Sequence, residues 1–507
     1  MKKLFIVSLF IFILFSCNTI EKKEQTPNII FFLADDLGYG EVGVYGQEKI
    51  KTPNIDALAD NGMRFTHHYS GSPVCAPSRY VFLTGKHTGH AFIRGNDEWN
   101  ERGDIWDYEK VYSDHTLEGQ RPIPSNTITI GKQLKKAGYT TGIFGKWGLG
   151  APDTEGTPNQ QGFDSFYGYN CQRQAHNLYP GHLWENSKKV LLKNELVAFH
   201  TKLDTLADPY DKQSYSKFQQ NEYAPEKIHR KALSFIKQNK DTPFFMYYAS
   251  PLPHLPLQVP DKYVEKYRKA FGEEEPYLGE KGYFPNRYPK AAYAAMISYL
   301  DNQLGELIAT LKEEGIYENT VILFSSDNGP TYTGGVDFNY FESSKPFSNG
   351  YGRTKGSVYE GGIRVPFIAS WPSHIEPGTS SDHISAFYDL MPTICDIAGI
   401  EAPKDIDGIS FKPVLYGQRQ NEHDFLYWEF PGYNGQQAVR IGKWKGVRKN
   451  IFDGNLNIEL YNLETDIEEK LDISNRYPDI VKRIDSIMKQ EHKPAINKRF
   501  KFKQLGD

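Results

Sequence analysis

The chain has 507 residues, which is long enough for one large domain and a small one. Hydrophobic residues make up 39% of it and charged residues 24%, as in an ordinary soluble globular protein. The net charge is −4, from 59 basic and 63 acidic residues, so there is no strong positive field to attract nucleic acid and no support for that class of partner.

Residues 1–17 are predicted to be a lipoprotein signal peptide. Two lysines precede the apolar run Leu4–Phe15, which is too short to span a bilayer comfortably. The run ends in Leu14-Phe15-Ser16-Cys17, which resembles a bacterial lipobox, although its second residue is bulkier than usual there; the alternative is an ordinary signal peptide with an incidental cysteine. We expect an exported bacterial protein, either periplasmic or held at the outer membrane by a lipid on Cys17, with residues 18–27 as a polar tether.

Strands and helices alternate in the predicted secondary structure of residues 28–417. Near-continuous apolar runs are typical of strands buried on both faces, and Gly and Pro mark the ends of the helices between them. In chain order we predict a strand at Asn28–Ala34, helices at Pro53–Gly62 and Thr127–Gly138, strands at Thr140–Phe144 and Pro243–Ala249, a helix at Ala291–Glu314, strands at Thr320–Ser326 and Ile363–Ala369, and a helix at Asp389–Gly399. The alternation predicts an α/β fold with a large mixed, mostly parallel sheet sandwiched by helices.

The pattern changes after about residue 417. Short strands at Leu426–Phe430, Ala438–Ile441 and Lys443–Val447 precede an amphipathic helix near Pro478–Gln490. This arrangement predicts a small C-terminal α+β domain over residues 418–507, after a catalytic domain over residues 28–417.

Two pairs of polar residues directly follow predicted buried strands. Asp35 and Asp36 follow the first strand, and Asp327 and Asn328 follow the strand that ends at Ser326. Because the carboxyl ends of parallel strands meet at one edge of the sheet, the pairs are expected to converge there. Three carboxylates and an amide carbonyl form an all-oxygen set, which suits a hard cation such as calcium or magnesium. Either pair alone would more simply be a turn or a helix cap.

The motif Cys75-Ala76-Pro77-Ser78-Arg79 is the strongest local signal. Pro77 suits a first helical turn, so Cys75 is placed at a helix N-terminus, where the helix dipole favours negative charge. Arg79 lies four residues later and therefore points near the same face. An anion held there would meet both groups, whereas the alternative is a structural cysteine before a helix.

Three further residues are candidates for contact with an anion or for proton transfer. Lys146 follows a predicted strand, and Lys355 lies in a Gly-rich segment, where an anion can approach the backbone closely. His254 also follows a strand and could donate the proton that a leaving alkoxide requires. Taken singly, each lysine is more often a surface charge and the histidine more often structural.

With these motifs in order along it, the chain resembles the type I, formylglycine-dependent sulfatases of the alkaline-phosphatase-like superfamily. The matching blocks cover most of residues 28–400, and they are Asn28–Gly38, Thr52–Phe65, Cys75–Gly85, Thr141–Gly150, Tyr247–Pro256, Ser325–Gly329, Gly352–Pro366 and Asp389–Gly399. The resemblance implies an alkaline-phosphatase-like fold and hydrolysis of sulfate esters.

The resemblance also implies a mechanism. Cys75 is oxidised to formylglycine by a maturase, and the aldehyde hydrate attacks sulfur to form a sulfo-enzyme as the alcohol leaves. The second hydroxyl of the hydrate then expels sulfate and restores the aldehyde. Arg79 matches the residue that stabilises the hydrate, Lys146 and Lys355 match sulfate ligands, and His254 matches the histidine beside the leaving oxygen.

The metal ligands follow from the same resemblance. Asp35, Asp36, Asp327 and Asn328 match the calcium ligands of the family, and the oxygen of the modified Cys75 completes the set. Calcium is therefore expected, and magnesium is the less favoured alternative.

One departure from the family pattern concerns the proton acceptor of the second step. The family usually reads Gly-Lys-Trp-His-Leu-Gly, and here Gly148 takes the place of that histidine. His176 is our candidate substitute; the alternative is a loop histidine that contacts the substrate or nothing.

Two stretches without clear periodicity, 94–125 and 170–225, are rich in Trp, Tyr, His and Arg. Long irregular segments in a compact domain are often functional loops. Arg94 and Arg173, one in each stretch, are therefore candidate substrate contacts beside His176.

The cysteines leave one question open. With Cys17 lipidated and Cys75 modified, Cys171 and Cys395 either form a disulfide, which export permits, or are buried free thiols. No CxxC motif or Cys/His cluster indicates zinc.

Three functions compete. The first is a sulfatase for a sulfated polysaccharide or oligosaccharide, with galactose or N-acetylgalactosamine sugars as one possibility. The second is a phosphatase or phosphodiesterase of the same superfamily, which generally uses Ser or Thr and two zinc ions; the Cys75 motif and the shortage of metal-site histidines argue against it. The third is a non-catalytic glycan-binding lipoprotein, which would need neither Cys75 nor the carboxylates.

Overall fold

The structure is a computed structural model that describes residues 26–507. The predicted signal peptide, the lipid anchor at Cys17 and nearly all of the predicted tether therefore lie outside the described residues. Among the helices within 26–507, each is too short or not apolar enough to cross a membrane.

The described residues contain sixteen strands. They are β1 (Asn28–Ala34), β2 (Met63–Phe65), β3 (His68–Tyr69), β4 (Thr140–Lys146), β5 (Ser165–Tyr169), β6 (His182–Glu185), β7 (Lys188–Leu191), β8 (Phe244–Ala249), β9 (Thr320–Ser326), β10 (Phe367–Ser370), β11 (Thr379–Ser381), β12 (Ser385–Ala386), β13 (Leu426–Phe430), β14 (Gln436–Ile441), β15 (Trp444–Lys449) and β16 (Glu459–Asn462).

Twelve α-helices lie between and around these strands in the same part of the chain. They are α1 (Pro53–Asp60), α2 (Cys75–Thr84), α3 (Tyr108–Ser113), α4 (Ile130–Lys136), α5 (Ala224–Gln238), α6 (Asp261–Phe271), α7 (Pro289–Glu313), α8 (Phe338–Phe341), α9 (Glu360–Ile363), α10 (Leu390–Ile397), α11 (Lys412–Leu415) and α12 (Pro478–Glu491).

The main sheet has ten strands in the order β11-β2-β10-β9-β1-β8-β4-β5-β6-β7. The five central strands, from β9 to β5, are parallel, and antiparallel pairs flank them on both sides. This confirms the predicted mixed, mostly parallel sheet. The carboxyl ends of the central strands therefore share one edge, as the sequence analysis requires.

Strand β1 shows why the sheet is covered on both faces. All of its residues are buried. Ile29, Phe31 and Leu33 belong to one apolar cluster, whereas Ile30 and Phe32 belong to a second cluster on the opposite face. Successive side chains of a strand point to opposite faces, so a continuous apolar run needs helices on both sides.

The C-terminal segment forms a four-stranded antiparallel sheet in the order β13-β14-β15-β16. One of its faces joins the core of the large sheet through Leu426 and Trp428. Its other face packs on α12, through residues such as Tyr427 and Ile484. The small sheet is thus the bridge between the large core and the last helix.

The structure corrects one predicted element. The apolar run Ile363–Ala369 is not a single strand, because one helical turn, α9, ends at Ile363 and the strand β10 starts only at Phe367, antiparallel to β9. The backbone turns at Gly362, where an added Cβ would lie 1.9 Å from the carbonyl oxygen of Ser357. That close backbone contact is invisible to a pattern of hydrophobicity.

Candidate active site

The four predicted metal ligands lie together at the carboxyl ends of two adjacent strands. Strands β1 and β9 pair in parallel up to Ala34 and Ser326, so the residues that follow them emerge side by side. The Asp36 backbone N–H donates to Asp327 Oδ1 over 3.2 Å. Asp36 has a φ of 65°, a left-handed conformation that is uncommon for a residue other than glycine and is concentrated at functional sites.

Each of the three carboxylates lies against at least one cation, and Arg79 also lies 3.5 Å from Asp35 Oδ2. Lys146 Nζ lies 2.5 Å from Asp35 Oδ2, and Lys355 Nζ lies 2.6 Å from Asp36 Oδ2. The third pair joins Arg79 to Asp327 at 2.9 Å. The cluster thus brings the three predicted carboxylate ligands together with Arg79, Lys146 and Lys355.

The pKa values of these carboxyls are pushed apart. Burial raises the pKa of Asp327 to about 7, and the nearby charge of Asp35 adds to this rise, while Arg79 opposes it. Burial would also raise the pKa of Asp35, but Lys146, with smaller help from other cations, brings that pKa below its usual range. Three buried carboxylates therefore need strong positive compensation to remain ionised together.

The residues fit a hard divalent cation. The amide nitrogen of Asn328 donates to Asp36 Oδ1 at 2.8 Å and to the Gly329 carbonyl oxygen at 2.9 Å. Its amide oxygen Oδ1 is buried without a hydrogen-bond partner, so it is free to act as a ligand. Asp35, Asp36, Cys75 and His254 present possible ligand atoms within 4.8 Å of one another. Carboxylate and amide oxygens are the ligands preferred by Ca²⁺.

Cys75 is the first residue of α2, at the N-terminus predicted from the sequence. Its Sγ lies 3.4 Å from Asp35 Oδ1 and 3.6 Å from Lys146 Nζ. Burial, together with the charge of Asp35, raises the pKa of the Cys75 thiol to about 12. The unmodified side chain is therefore held as a neutral thiol at the centre of the charged cluster.

Arg79 lies one helical turn after Cys75 and faces the same cluster. Its Nε and NH2 donate to Asp327 Oδ2 at 3.0 and 2.9 Å, and its NH1 donates to the Lys146 carbonyl oxygen. Arg79 therefore orders both a metal-ligand candidate and the end of strand β4.

His254 presents one ring nitrogen to the cluster. Its Nδ1 lies 2.7 Å from the Leu255 carbonyl oxygen, which fixes Nδ1 as a donor, and its Nε2 lies 3.7 Å from Asp36 Oδ2. Burial, followed by the positive charges of Lys355 and Lys146, holds the pKa of His254 well below its usual range. Nε2 is therefore the atom available for proton exchange.

His176 also reaches the cluster. It ends a short 3₁₀ helix, Gln172–His176, and its ring stacks on that of His254 with 5.2 Å between centroids and 17° between planes. Burial holds the pKa of His176 well below its usual range, and its Nδ1 is buried without a partner. A neutral imidazole with a free nitrogen therefore lies beside the predicted proton donor.

The position of the missing family histidine is occupied from another part of the chain. Gly148 has a φ of 78°, and a Cβ built on it would lie 3.0 Å from Gln172 Oε1. The Gln172 side chain thus borders the space that a larger residue at 148 would need.

The structure separates the two arginines predicted to bind substrate. Arg173 is buried beside His176, with Nε and NH1 lacking partners. Arg94 instead donates to Glu429 Oε1 and to the carbonyl oxygens of Ala91, Gly89 and Lys493. The structure does not bring Arg94 to the site, because its guanidinium is committed to the C-terminal sheet, and we assign it no substrate contact.

Three residues near the site, Glu98, Gln172 and Tyr283, were not predicted from the sequence. Glu98 accepts from Gln120 Nε2 at 2.6 Å and neighbours Gln172, and the Tyr283 ring lies 5.1 Å from that of His176. None of them follows a core strand or forms part of a motif; Glu98 and Gln172 lie in the two irregular aromatic-rich stretches, whereas Tyr283 lies outside both. Cys171 and Cys395 are buried free thiols, as is Cys75, so one of the two alternatives for the cysteines is observed.

Comparison with known proteins gives a family for this fold and site. The family model described as Sulfatase matches residues 27–400, and a second model, N-sulphoglucosamine sulphohydrolase, C-terminal, matches residues 353–494. The chain is 30% identical to the N-acetylgalactosamine-6-sulfatase of Canis lupus familiaris, over 83% of this chain and 71% of that protein. It is also 30% identical to the Arylsulfatase A of Homo sapiens, over 83% of this chain and 74% of that protein.

Among solved structures, Ps i-CgsB superposes with a TM-score of 0.71 at 28% identity, covering 92% of this chain and 94% of that one. The same protein in complex with k-i-k-neocarrahexaose gives a TM-score of 0.70 at 27% identity, with the same two coverages. The sheet, the matched residues and these relatives lead to one conclusion: the chain belongs to the sulfatase family, and it is a sulfuric ester hydrolase.

Proposed function

We propose that this sulfatase removes sulfate from a sulfated carbohydrate, with formylglycine derived from Cys75 as its nucleophile and Ca²⁺ as its metal. The observation that carries the proposal is the placement of Cys75. Its side chain starts at a helix N-terminus, 3.4 Å from a carboxylate and 3.6 Å from an ammonium group. Formylglycine would supply a hydrate hydroxyl as nucleophile at this point, and the cation would polarise the reacting oxygens and neutralise the carboxylates.

The two lysines are proposed to bind the sulfate group. Lys146 Nζ lies 3.6 Å from Cys75 Sγ. Lys355 Nζ lies 2.6 Å from Asp36 Oδ2, in the same carboxylate cluster. An ammonium group forms a charge-assisted hydrogen bond to a sulfate oxygen and stabilises the charge that develops on it. Both lysines can exchange a carboxylate partner for sulfate when the carboxylates hold a metal ion.

The two stacked histidines are proposed to handle the protons. Since Nδ1 of His254 donates to Leu255, Nε2 would carry a proton only in the imidazolium form, which the negative charge of a bound sulfate ester would favour; Nε2 would then give that proton to the oxygen of the leaving sugar. His176, whose Nδ1 has no partner, would accept the proton when sulfate is released, in place of the histidine absent at position 148.

The carbohydrate substrate class is supported by two of the relatives. One is named for N-acetylgalactosamine 6-sulfate ester chemistry, and the structural neighbour Ps i-CgsB was solved with k-i-k-neocarrahexaose. We therefore propose a galactose or N-acetylgalactosamine type of sugar. Export, a lipid anchor at Cys17 and modification of Cys75 by a maturase complete the proposal, with residues 28–417 as the catalytic domain.

The test is hydrolysis of a panel of galactose and N-acetylgalactosamine 4-O- and 6-O-sulfates, with 4-nitrophenyl sulfate for comparison, by enzyme co-expressed with a maturase. The wild-type enzyme should hydrolyse at least one sugar sulfate, and Cys75→Ala should hydrolyse none. Metal analysis should give one calcium ion per chain. Activity on phosphate esters with two bound zinc ions would support a phosphatase instead.

A further inference from the structure

The 3₁₀ helix Gln172–His176 contains an unusual concentration of buried polar atoms without partners. They are Gln172 Oε1, Arg173 Nε and NH1, Gln174 Oε1 and Nε2, and His176 Nδ1. Leaving a buried polar atom without a hydrogen-bond partner destabilises a fold, and native proteins contain only a few such atoms per 100 residues. Six on five consecutive residues indicate a surface built for a ligand.

Both ends of this helix touch the reaction centre. At its end, the His176 ring stacks on His254. At its start, Gln172 Oε1 points toward Gly148, two residues after the Lys146 that contacts Cys75. The helix therefore forms a wall of the active site.

Arg173 lies on the face of this wall that looks toward the site. Residues three apart eclipse each other in a 3₁₀ helix, so Arg173 shares a face with His176, about 6 Å along the axis. The Arg173 side chain is only 2% exposed. Its guanidinium lies 4.5 Å from the centre of the Trp106 ring, which is 57% exposed. Arg173 thus lies between the buried reaction centre and an aromatic side chain at the surface.

A carboxylate adjoins the wall from a second loop. Glu98 accepts from Gln120 Nε2 at 2.6 Å, and Gln172 lies beside it. The Gln172 backbone N–H donates to Gln120 Oε1 at 3.1 Å, so the Gln120 side chain links Glu98 to the start of the 3₁₀ helix. Glu98 is close enough to Arg173 for the two charges to interact, yet no ion pair joins them.

The chemistry of this wall fits hydroxyl groups. A hydroxyl both donates and accepts, so it can bond to a guanidinium, a carboxylate and an amide at once. Arg173 alone would attract a second sulfate or a carboxylate, but the neighbouring Glu98 offsets its charge, so a neutral group that both donates and accepts fits the pair better. We infer that the 172–176 wall, with Arg173 and Glu98, binds unsubstituted hydroxyl groups of the sugar ring that carries the sulfate, and that it sets the sugar specificity. This inference rests on the proposed function.

The experiment compares kcat/KM for the best sugar sulfate of the panel with kcat/KM for 4-nitrophenyl sulfate, which has no sugar hydroxyls. Arg173→Met and Glu98→Gln should lower the value for the sugar sulfate about 10- to 100-fold, and they should change the value for the aryl sulfate by less than about threefold. Arg173→Lys should restore only part of the loss, because an ammonium group lacks the planar fork. Arg230→Met, at an exposed position of α5, is the matched control and should change neither value.

Single-deoxy analogues of the same sugar sulfate identify the hydroxyl. For one analogue, the wild-type kcat/KM should fall by as much as Arg173→Met lowers kcat/KM for the intact sugar sulfate. With that same analogue, Arg173→Met should lower kcat/KM little further. If Arg173→Met does not fold, Gln174→Met makes the same comparison.

The inference would be overturned if the variants lowered kcat/KM equally for the sugar sulfate and the aryl sulfate. It would also be overturned if the loss from Arg173→Met added to the loss from every deoxy analogue. A wild-type enzyme that hydrolyses the aryl sulfate and no sugar sulfate would instead show that the proposed function fails, and the inference with it.

Discussion

Lys146 and Lys355 each form a short ion pair with a carboxylate of the site. If each binds sulfate as proposed, replacing either by Ala removes a charge-assisted hydrogen bond to it, so kcat/KM should fall several-fold to thousands-fold, on the order of 1–4 kcal/mol of transition-state stabilisation. Lys269→Ala, at an exposed position of α6, is the control. Steady-state kinetics and circular dichroism of the three variants make the comparison; full activity of both site variants would show that sulfate binds elsewhere.

A substitution at His254, the proposed proton donor, should affect substrates with different leaving groups to different extents. A sugar alkoxide needs a proton to leave, whereas a nitrophenolate does not. His254→Ala should therefore lower kcat by about 10²- to 10⁴-fold with a sugar sulfate and far less with 4-nitrophenyl sulfate. His176→Ala should instead stall sulfate release with both substrates, visible as a single burst of alcohol or phenol. Equal losses on both substrates for His254→Ala would move the proton-donor role to another residue.

At the residue scale, the sequence predicted the groups that follow strands or start a helix. Asp35, Asp327 and Lys146 could be placed because an apolar run shows where each strand ends, and the strand ends of a parallel sheet converge. Glu98 could not be placed, since its partners come from distant loops. Arg94 was expected at the substrate, but its partner Glu429 lies 335 residues away, and no local pattern reveals such a pairing.

At the scale of elements, the sequence predicted the buried strands well because a long apolar run has few alternatives. Helix α5 was missed although its signal was present: Pro225 lies in the first turn, and the buried Ile228, Ala232 and Phe235 follow helical spacing. The stretch 170–225 also holds the short strands β6 and β7, which the aromatic and charged composition hid. The division near residue 417 remains our proposal.

The segment after β4 gives an element-scale prediction. Gly148 has a φ of 78°, so Gly148→Ala should lose about 1–3 kcal/mol of stability from backbone strain. Gly138→Ala is the matched control, because its φ is 86° and nothing lies within 4 Å of an added Cβ. Denaturant unfolding gives the loss in the free energy of unfolding for both variants. The amount by which the loss for Gly148→Ala exceeds that for Gly138→Ala measures the cost of the contact with Gln172. A neutral Gly148→Ala would contradict the strained turn.

At the scale of the whole molecule, the small sheet ties the last helix to the large core. Trp428 Nε1 donates to the Ser70 carbonyl oxygen at 2.9 Å, and the next residue, Glu429, forms an ion pair with Arg94. The carboxylate of Glu429 also contacts the ring of His492, the residue that follows α12. The sequence predicted three of the four strands of this sheet, but neither β16 nor the buried charges beneath the sheet.

The His492 contacts predict how stability depends on pH. Its Nδ1 lies 2.8 Å from Glu429 and its Nε2 lies 2.7 Å from Asp507, so both nitrogens donate to carboxylates. Burial alone would lower the pKa of His492, but Glu429 and Asp507 raise it above its usual value. A raised folded-state pKa stabilises the protein below the unfolded value of about 6.5, and the gain is lost as pH rises through the folded-state pKa.

His492→Gln should therefore destabilise the protein more at about pH 5.5 than at about pH 8.5. Thermal unfolding of the variant and the wild type across this range measures the difference. A variant equally destabilised at both pH values would show that His492 acts through packing alone.

The central claim is that residue 75 acts as formylglycine, and peptide mass spectrometry tests it most directly. Protein should be prepared with and without co-expressed maturase, and the fraction of aldehyde at position 75 should be compared with kcat for one substrate. With formylglycine as the nucleophile, kcat should rise in proportion to the aldehyde fraction and approach zero without it. An unmodified Cys75 thiol in fully active enzyme would show that formylglycine is not the nucleophile.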